Sequence, residues 1–202
     1  MSDEFKDAIK IHQSAFGLDI PDEKIEALAA YHALVRKRNS ILHLVAPCAH
    51  GEFAVRHVLE SLTLLEYLPK NAKFVDVGTG AGLPAIPCLI ARDDLRGNLV
   101  ESKTKKAAFL EVAITECQLA RRARIFNRQF EEIERPDVSF VTCRALDKFT
   151  EKLPRLVKWS KNATLLLFAG NSLRQELTKN KLEFSEKLMP FSEQRFLFIV
   201  NK

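Results

Sequence analysis

The run Phe74-Val75-Asp76-Val77-Gly78-Thr79-Gly80-Ala81-Gly82-Leu83-Pro84 joins an apolar segment to three glycines at alternate positions and then to a proline. Glycines there let the backbone turn sharply and let a ligand approach the main chain and the N-terminus of a following helix, so the chemistry implied is the holding of a nucleotide-like cofactor. The third glycine of the dinucleotide fingerprint G-x-G-x-x-G would fall on Leu83, which fits NAD(P) poorly. No G-K-(S/T) follows, so a phosphate-cradling P-loop is excluded. Glu101 stands 19 residues after Gly82 at the end of the next apolar run, where an acid can accept hydrogen bonds from both hydroxyls of a ribose. Cys143 also ends an apolar run and offers either a nucleophilic thiol or a small buried side chain. Cys48, His50 and His57, with His43 nearby, have spacings that match no zinc pattern, and no metal site is expected.

The elements that must position these residues follow from periodicity. Residues 21–44 open on Pro21 with three acids, Asp22, Glu23 and Glu26, near their start and repeat Ile25, Leu28, Ala29, His32 and Val35 on one helical face. A second helix is expected over 53–67, with Val55, Val58, Leu59, Leu62 and Leu65 on its apolar side. After Pro69 short apolar runs alternate with amphipathic stretches. Strands are expected over 73–77, 98–101, 123–127, 138–142 and 163–168, and helices over 84–91, 103–119 and 147–158. Such alternation implies parallel strands joined by right-handed crossovers with helices on both faces. The last apolar runs, 182–191 and 194–200, have no helix between them and read as an antiparallel edge pair. The expected fold is an α/β, doubly wound Rossmann-like sheet with that edge hairpin, comprising an N-terminal helical cap over 1–70 and a cofactor-binding domain over 71–202.

The 202 residues suffice for a full core, with 47% hydrophobic and 28% charged side chains. The longest uncharged stretch, Val77 to Ala91, is 15 residues with three glycines and two prolines, short of the roughly 18 apolar residues of a membrane span. The first residues, MSDEFKDAIKIHQ, lack a basic start and an apolar block, so a cytoplasmic address without membrane attachment is expected. Four cysteines without a C-x-x-C pair suit reduced thiols. The net charge of +5 is uneven: residues 1–70 hold eight Lys/Arg against ten Asp/Glu, and residues 71–202 hold 23 against 16. Within Lys103–Arg128, seven basic residues face two acids, a candidate surface for a polyanion.

An acid inside a strand followed by G-x-G-x-G resembles the pattern of S-adenosylmethionine-dependent methyltransferases. A closer resemblance, from about Leu34 to Lys202, is to the bacterial glucose-inhibited division protein B family, small-subunit ribosomal RNA guanine-N7 methyltransferases with the class I sheet. Arg56-His57-Val58-Leu59-Glu60-Ser61-Leu62 matches its R-H-(I/L)-x-D-S-L, and Asp76 to Pro87 its D-x-G-T-G-A-G-F-P-G-x-P. Leu99-Val100-Glu101-Ser102, Lys105-Lys106 and Phe109-Leu110 match its L-x-(D/E)-S, K-(R/K) and F-L. Asn127 to Glu131 sits at its G-R-A-E, and Val141-Thr142-Cys143-Arg144-Ala145 at its V-(T/S)-x-R-A.

The resemblance implies S-adenosyl-L-methionine as cofactor, lined by Gly78, Gly80, Gly82 and Leu83, with Glu101 on its ribose, Gln129 and Phe130 flanking its adenine and Arg144 facing the pocket. It implies small-subunit ribosomal RNA, free or in the subunit, as partner, met by Arg56, His57 and Arg144; separately, a monomeric chain is expected. Guanine N7 has an available lone pair, so no catalytic acid or base is expected; Arg144 serves by positioning. Departures are Leu83-Pro84-Ala85 for F-P-G, His43-Leu44-Val45 for N-L-T, Gln129-Phe130 for Ala-Glu, and Ala169-Gly170 for Lys-Gly. Two other functions stay open: an RNA cytosine-C5 methyltransferase using Cys143, although its Pro-Cys partner is absent, and a diverged noncatalytic RNA-binding or ribosome assembly factor. The N6-adenine pattern (D/N)-P-P-(Y/F) is absent.

Overall fold

The computed structural model describes residues 3–144 and 149–201. A seven-stranded sheet has the order β3-β2-β1-β4-β5-β7-β6, formed by β1 (Lys73–Val77), β2 (Arg96–Val100), β3 (Ala123–Phe126), β4 (Phe140–Arg144), β5 (Thr164–Ala169), β6 (Phe184–Leu188) and β7 (Phe196–Val200). The first five strands are parallel, and β7 runs antiparallel to β5 and β6. This is the expected doubly wound sheet with its edge hairpin.

Alternation along the strands sorts side chains onto two cores. Phe74, Leu99, Leu166, Phe168, Leu197 and Ile199 face one cluster, which also takes in α1 (Asp3–His12), α2 (Asp22–Leu42), α5 (Ala85–Ala91) and α6 (Thr104–Glu116). Val75, Val77, Val141, Leu165, Leu167 and Phe198 face the other, covered by α7 (Phe149–Ser160) and α8 (Asn171–Lys179). Central strands buried on both faces read as continuous apolar runs, which is why they are legible in the sequence. Helices α1 and α8 were not among the expected elements; both are short and carry many charges.

Two further differences bear on the site. The single helix expected over 53–67 starts earlier and is composite: α3 (His50–Phe53), a π-helical turn over Ala54–Leu59, α4 (Glu60–Leu62), then a 3-10 turn over Thr63–Glu66. The strand expected over 138–142 runs two residues later, because Phe140 pairs with Phe74 and the Val138 carbonyl instead accepts from Arg135 Nη1 at 2.6 Å. The β4 end therefore carries Cys143 and Arg144. The helix start expected at Asp147, and Ala145 of the last motif, lie outside the described residues.

Inside the cap, His32 of α2 is stacked on Phe5 at 4.5 Å, tilted against Phe53 at 4.6 Å and edge-on to His50 at 5.1 Å. Its Nε2 is buried without a hydrogen-bond partner. Burial, aided by His50 and Arg36, pulls its pKa down to about 4. The unfolded imidazole, near 6.5, takes up a proton that the folded one refuses. Stability is thus highest above pH ~6.5 and falls as pH drops towards 4, by up to about 1.4 kcal/mol per unit from this residue. His32→Phe keeps the ring packing and removes the proton site. Thermal melts at pH 7 and pH 5 should show a smaller acid loss for the variant than for the native chain; equal losses would clear His32 as the source.

Candidate active site

At the carboxyl end of β1 the chain enters the glycine loop. Gly78, Gly80 and Gly82 all have positive φ, at 69°, 57° and 91°, a region open to glycine at little cost. Gly78 N and Thr79 N both donate to Val100 O, at 2.9 and 3.2 Å, which ties the loop to the end of β2. The Tyr31 hydroxyl, from the buried face of α2, donates to Ala81 O at 2.9 Å, so the cap clamps the loop from above. Glu101, just past β2, accepts from Gly80 N at 3.0 Å through Oε2 and from Lys103 N at 2.8 Å through Oε1. Its carboxylate is thereby aimed before any ligand arrives, and each oxygen keeps a second lone pair.

Asp76 is fully buried beneath the loop. Thr79 Oγ1 donates to its Oδ2, and its Oδ1 has no partner. Burial drives its carboxyl well above the usual range, against the hydrogen bond from Thr79. Thr142 stands opposite in the register, and its hydroxyl is likewise buried without a partner.

A cavity of about 380 Å³ opens over the loop, within the size range of small-ligand sites. Gly78, Gly80, Leu83 and Glu101 form its floor, Lys103 and Lys106 one side, and His57, Arg144 and the segment Leu44–Ala46 the cap side. A Cβ built on Gly80 would meet nothing closer than Gly78 O at 3.9 Å. A side chain at position 80 would therefore take up space left open beside the main chain. An open glycine cradle with an aimed acidic acceptor fits a nucleoside-bearing cofactor.

Gly82 has a different place. Its Cβ would lie 2.4 Å from Ile86 Cδ1, so this glycine lets α5 pack closely and does not line the cavity. Gln129 is exposed and caps the short turn Phe130–Glu132 through a reciprocal pair of hydrogen bonds with Glu132. Phe130 is 3% exposed, its ring edge-on to Trp159 at 5.6 Å. Both stand outside the lining.

Arg56 and His57 lie on the π-helical turn, a feature that often marks functional sites because it resets which side chains face inward. The Arg56 side chain is half exposed and pairs with Glu52, away from the cavity lining. His57 reaches the cavity wall, packs against Phe53 at 5.0 Å and leaves Nδ1 buried without a partner. Burial, together with repulsion from Arg144, Arg56 and Arg195, lowers its pKa to about 3. It is a neutral imidazole at physiological pH.

Arg144, at the end of β4, is held on three sides. Nη2 donates to Arg56 O at 2.6 Å and to Glu60 Oε2 at 3.1 Å, and Nη1 reaches Ser61 Oγ at 3.5 Å. Glu60 is buried, and its other oxygen accepts from Arg195 Nε at 2.6 Å. The Arg144 guanidinium also lies 5.5 Å from the centre of the Phe168 ring. Glu60 and Arg195 are site residues to which sequence reasoning assigns no role. Glu60 fills the acidic position of the R-H-(I/L)-x-D-S-L motif, which is the available signal for it; nothing marks Arg195.

Arg144 belongs to two cavities. The second, about 370 Å³, is walled by Phe149, Phe168, Phe196 and Met189, with Glu60 and Arg195 at its polar end. Cys143, one residue before, is fully buried in the core under α7 and α8 and lines neither cavity. Among the described residues no group of three His, Cys, Asp or Glu side chains is placed to hold a metal ion, and no helix is long and apolar enough to cross a membrane.

The family profile described as rRNA small subunit methyltransferase G matches residues 24–196. Ribosomal RNA small subunit methyltransferase G of Neisseria meningitidis serogroup C (strain 053442) is 32% identical over 157 residues, covering 78% of this chain and 73% of that protein. The protein of the same name from Paracoccus denitrificans (strain Pd 1222) is 35% identical over 161 residues, covering 76% of this chain and 80% of its own. Among solved structures, a SAM dependent methyltransferase from Aquifex aeolicus superposes with a TM-score of 0.59 at 13% identity, over 75% of this chain and 93% of that one, a likeness of fold. With strands β1 to β6, the glycine loop and the arginine at the β4 end all inside the matched span, the chain belongs to the GidB family, the rRNA small subunit methyltransferases G.

Proposed function

We propose that this chain transfers the methyl group of S-adenosyl-L-methionine to N7 of a guanine in small-subunit ribosomal RNA, as a cytoplasmic monomer. The observation that carries the reading is the pair of cavities meeting at Arg144, one floored by the glycine loop and Glu101, the other walled by aromatic rings. Both halves of the site come from one chain.

When bound, the cofactor supplies an electrophilic methyl group on a sulfonium. Gly78 and Gly80 leave room beside the main chain for it, Leu83 gives an apolar wall, and Glu101 accepts from its ribose hydroxyls. In the second cavity the rings of Phe149, Phe168 and Phe196 wall an apolar space that a purine can enter. Guanine N7 needs no deprotonation, so the chain has only to align and to exclude water. An arginine bidentate to O6 and N7 would cover the lone pair to be methylated. Arg144, with donors already committed to Glu60 and Arg56 O, is instead suited to a single contact, to O6 or to a phosphate. Gln129 and Phe130 act on this reading by fixing the turn after β3 near the mouth, and Gly82 by seating α5. Arg56, half exposed and outside the cavity lining, can meet RNA phosphate once it leaves Glu52.

The reading makes two sets of expectations. Gly80→Val fills the space beside the loop, and S-adenosylmethionine binding by calorimetry should be lost; Glu101→Ala should weaken it by roughly 1–3 kcal/mol. Unchanged affinity in both would remove the cofactor assignment. Single-turnover transfer of labelled methyl to small-subunit RNA separates N7 chemistry from cytosine chemistry. Cys143→Ser should keep most of the rate, because a buried core thiol is no nucleophile, whereas Arg144→Ala should slow transfer by about tenfold or more through weaker positioning. A folded, cofactor-binding Cys143→Ser protein without activity would overturn the guanine-N7 reading.

A further inference from the structure

The basic residues that the sequence clusters between Lys103 and Arg128 are divided by the fold. Lys103 and Lys106 stand at the cofactor cavity. Arg121, Arg122 and Arg124 come after α6 and flank the start of β3, at the opposite, amino end of the sheet. There Lys73 opens β1 and pairs in register with Arg96, which opens β2, while Gly97 pairs with Ala123. A shallow groove of about 450 Å³ runs between them, lined by Lys73, Arg96, Arg121, Arg122 and Arg124. Five-residue strands rising about 3.3 Å per residue put this groove roughly 13 Å or more from the glycine loop, facing away from it.

The charge in this groove is unmatched. Arg122 is structural: Nη1 donates to the carbonyls of Leu89, Arg92 and Leu95, and Nη2 to Asp93. The other four differ. Lys73, Arg96, Arg121 and Arg124 are exposed, and among the described residues none pairs with a carboxylate. The two acids nearest in the chain are engaged elsewhere, Asp93 with Lys24 and Arg122, and Asp94 with Arg92 and the Asn71 amide. Arg124 lies on the edge strand with its guanidinium 4.7 Å above the Phe126 ring, a platform of cation and aromatic face. Four cations that repel one another around one concavity are stabilised by a partner that carries regularly spaced negative charge.

We propose that this amino-end groove is a second RNA-backbone site, in which Lys73, Arg96, Arg121 and Arg124 hold phosphates of the ribosomal RNA away from the segment that enters the methyl-transfer cavities. The proposal rests on the assignment of ribosomal RNA as substrate. A substrate as large as a ribosomal RNA can reach both ends of the sheet, and the remote attachment adds affinity and fixes orientation without touching the reacting base.

The triple variant Lys73→Gln, Arg121→Gln and Arg124→Gln changes exposed side chains and leaves Arg122 and both cavities intact. Its melting temperature and its S-adenosylmethionine affinity should match the native chain. Binding to small-subunit RNA should weaken by about tenfold near 0.1 M salt, and the log-log salt dependence should become shallower by about 2, at roughly 0.7–0.9 for each phosphate that is no longer neutralised. Methyl transfer at saturating RNA should be unchanged. Native affinity and slope in a variant that still transfers methyl would overturn the second site while leaving the methyltransferase reading intact. Failure of the native chain to methylate small-subunit RNA would remove both. If naked RNA binds as before and only binding to the assembled subunit weakens, the groove holds an acidic protein face and the RNA assignment falls.

Discussion

Glu60 is a carboxylate with 1% exposure, and the site is arranged around it. A buried charge is tolerated only when matched and hydrogen-bonded. Here the match comes from Arg144 at the end of β4 and Arg195 just before β7, two residues far from Glu60 and from each other in sequence. The three charges pin the cap, the sheet centre and the edge hairpin at one point. Arg144 gains from this clasp a fixed direction, which a guanidinium on a free side chain would lack. Ser61 Oγ and the Arg56 carbonyl add acceptors from the same stretch of chain, so the cap presents three acceptors to a single guanidinium. The wall between the two cavities is thus an ion-pair network, and its geometry depends on the π-helical turn that precedes Glu60.

The glycine loop divides its tasks in a similar way. Gly78 and Gly80 face the cavity, whereas Gly82 is demanded by the approach of Ile86. Asp76 stays below, tied to the loop through Thr79. Tyr31 closes the arrangement from the cap. The cofactor surface is stiff because main-chain groups of the loop are bonded to β2, to Glu101 and to α2 at once, so little ordering is left for a ligand to impose.

The strand and helix alternation, the glycine loop and Glu101 are legible in the sequence because each rests on local pattern: apolar runs for doubly buried strands, unhindered backbone for the turn, an acid at a fixed interval. What depends on distant partners is not legible in that way. The π-helical turn keeps the same apolar composition as an α-helix and differs only in how it is packed. Arg195 acquires its role only when the hairpin brings it to Glu60. Phe130 matches the position of an adenine-flanking residue in the family motif, yet its ring is taken up by Trp159. The basic run 103–128 reads as one patch along the chain, but a 13-residue helix, about 20 Å long, carries its two halves to opposite ends of the sheet.

On the proposed N7 reading, the burial of His57 suits a reaction that uses no acid. Transfer from a sulfonium to a neutral ring nitrogen relocates one positive charge and creates none. On that reading the hazard is a donor that occupies the lone pair before the methyl arrives. An imidazolium beside the cavity, although too weak an acid to protonate N7, would be a stronger hydrogen-bond donor to it than a neutral imidazole. Burial and the neighbouring guanidiniums of Arg144, Arg56 and Arg195 hold His57 neutral down to about pH 3. The same arginines that suit the wall for RNA therefore keep its imidazole from acting as an acid. Glu60 in turn offsets part of their charge, which suits a wall proposed to face a cationic cofactor on one side and a base becoming cationic on the other.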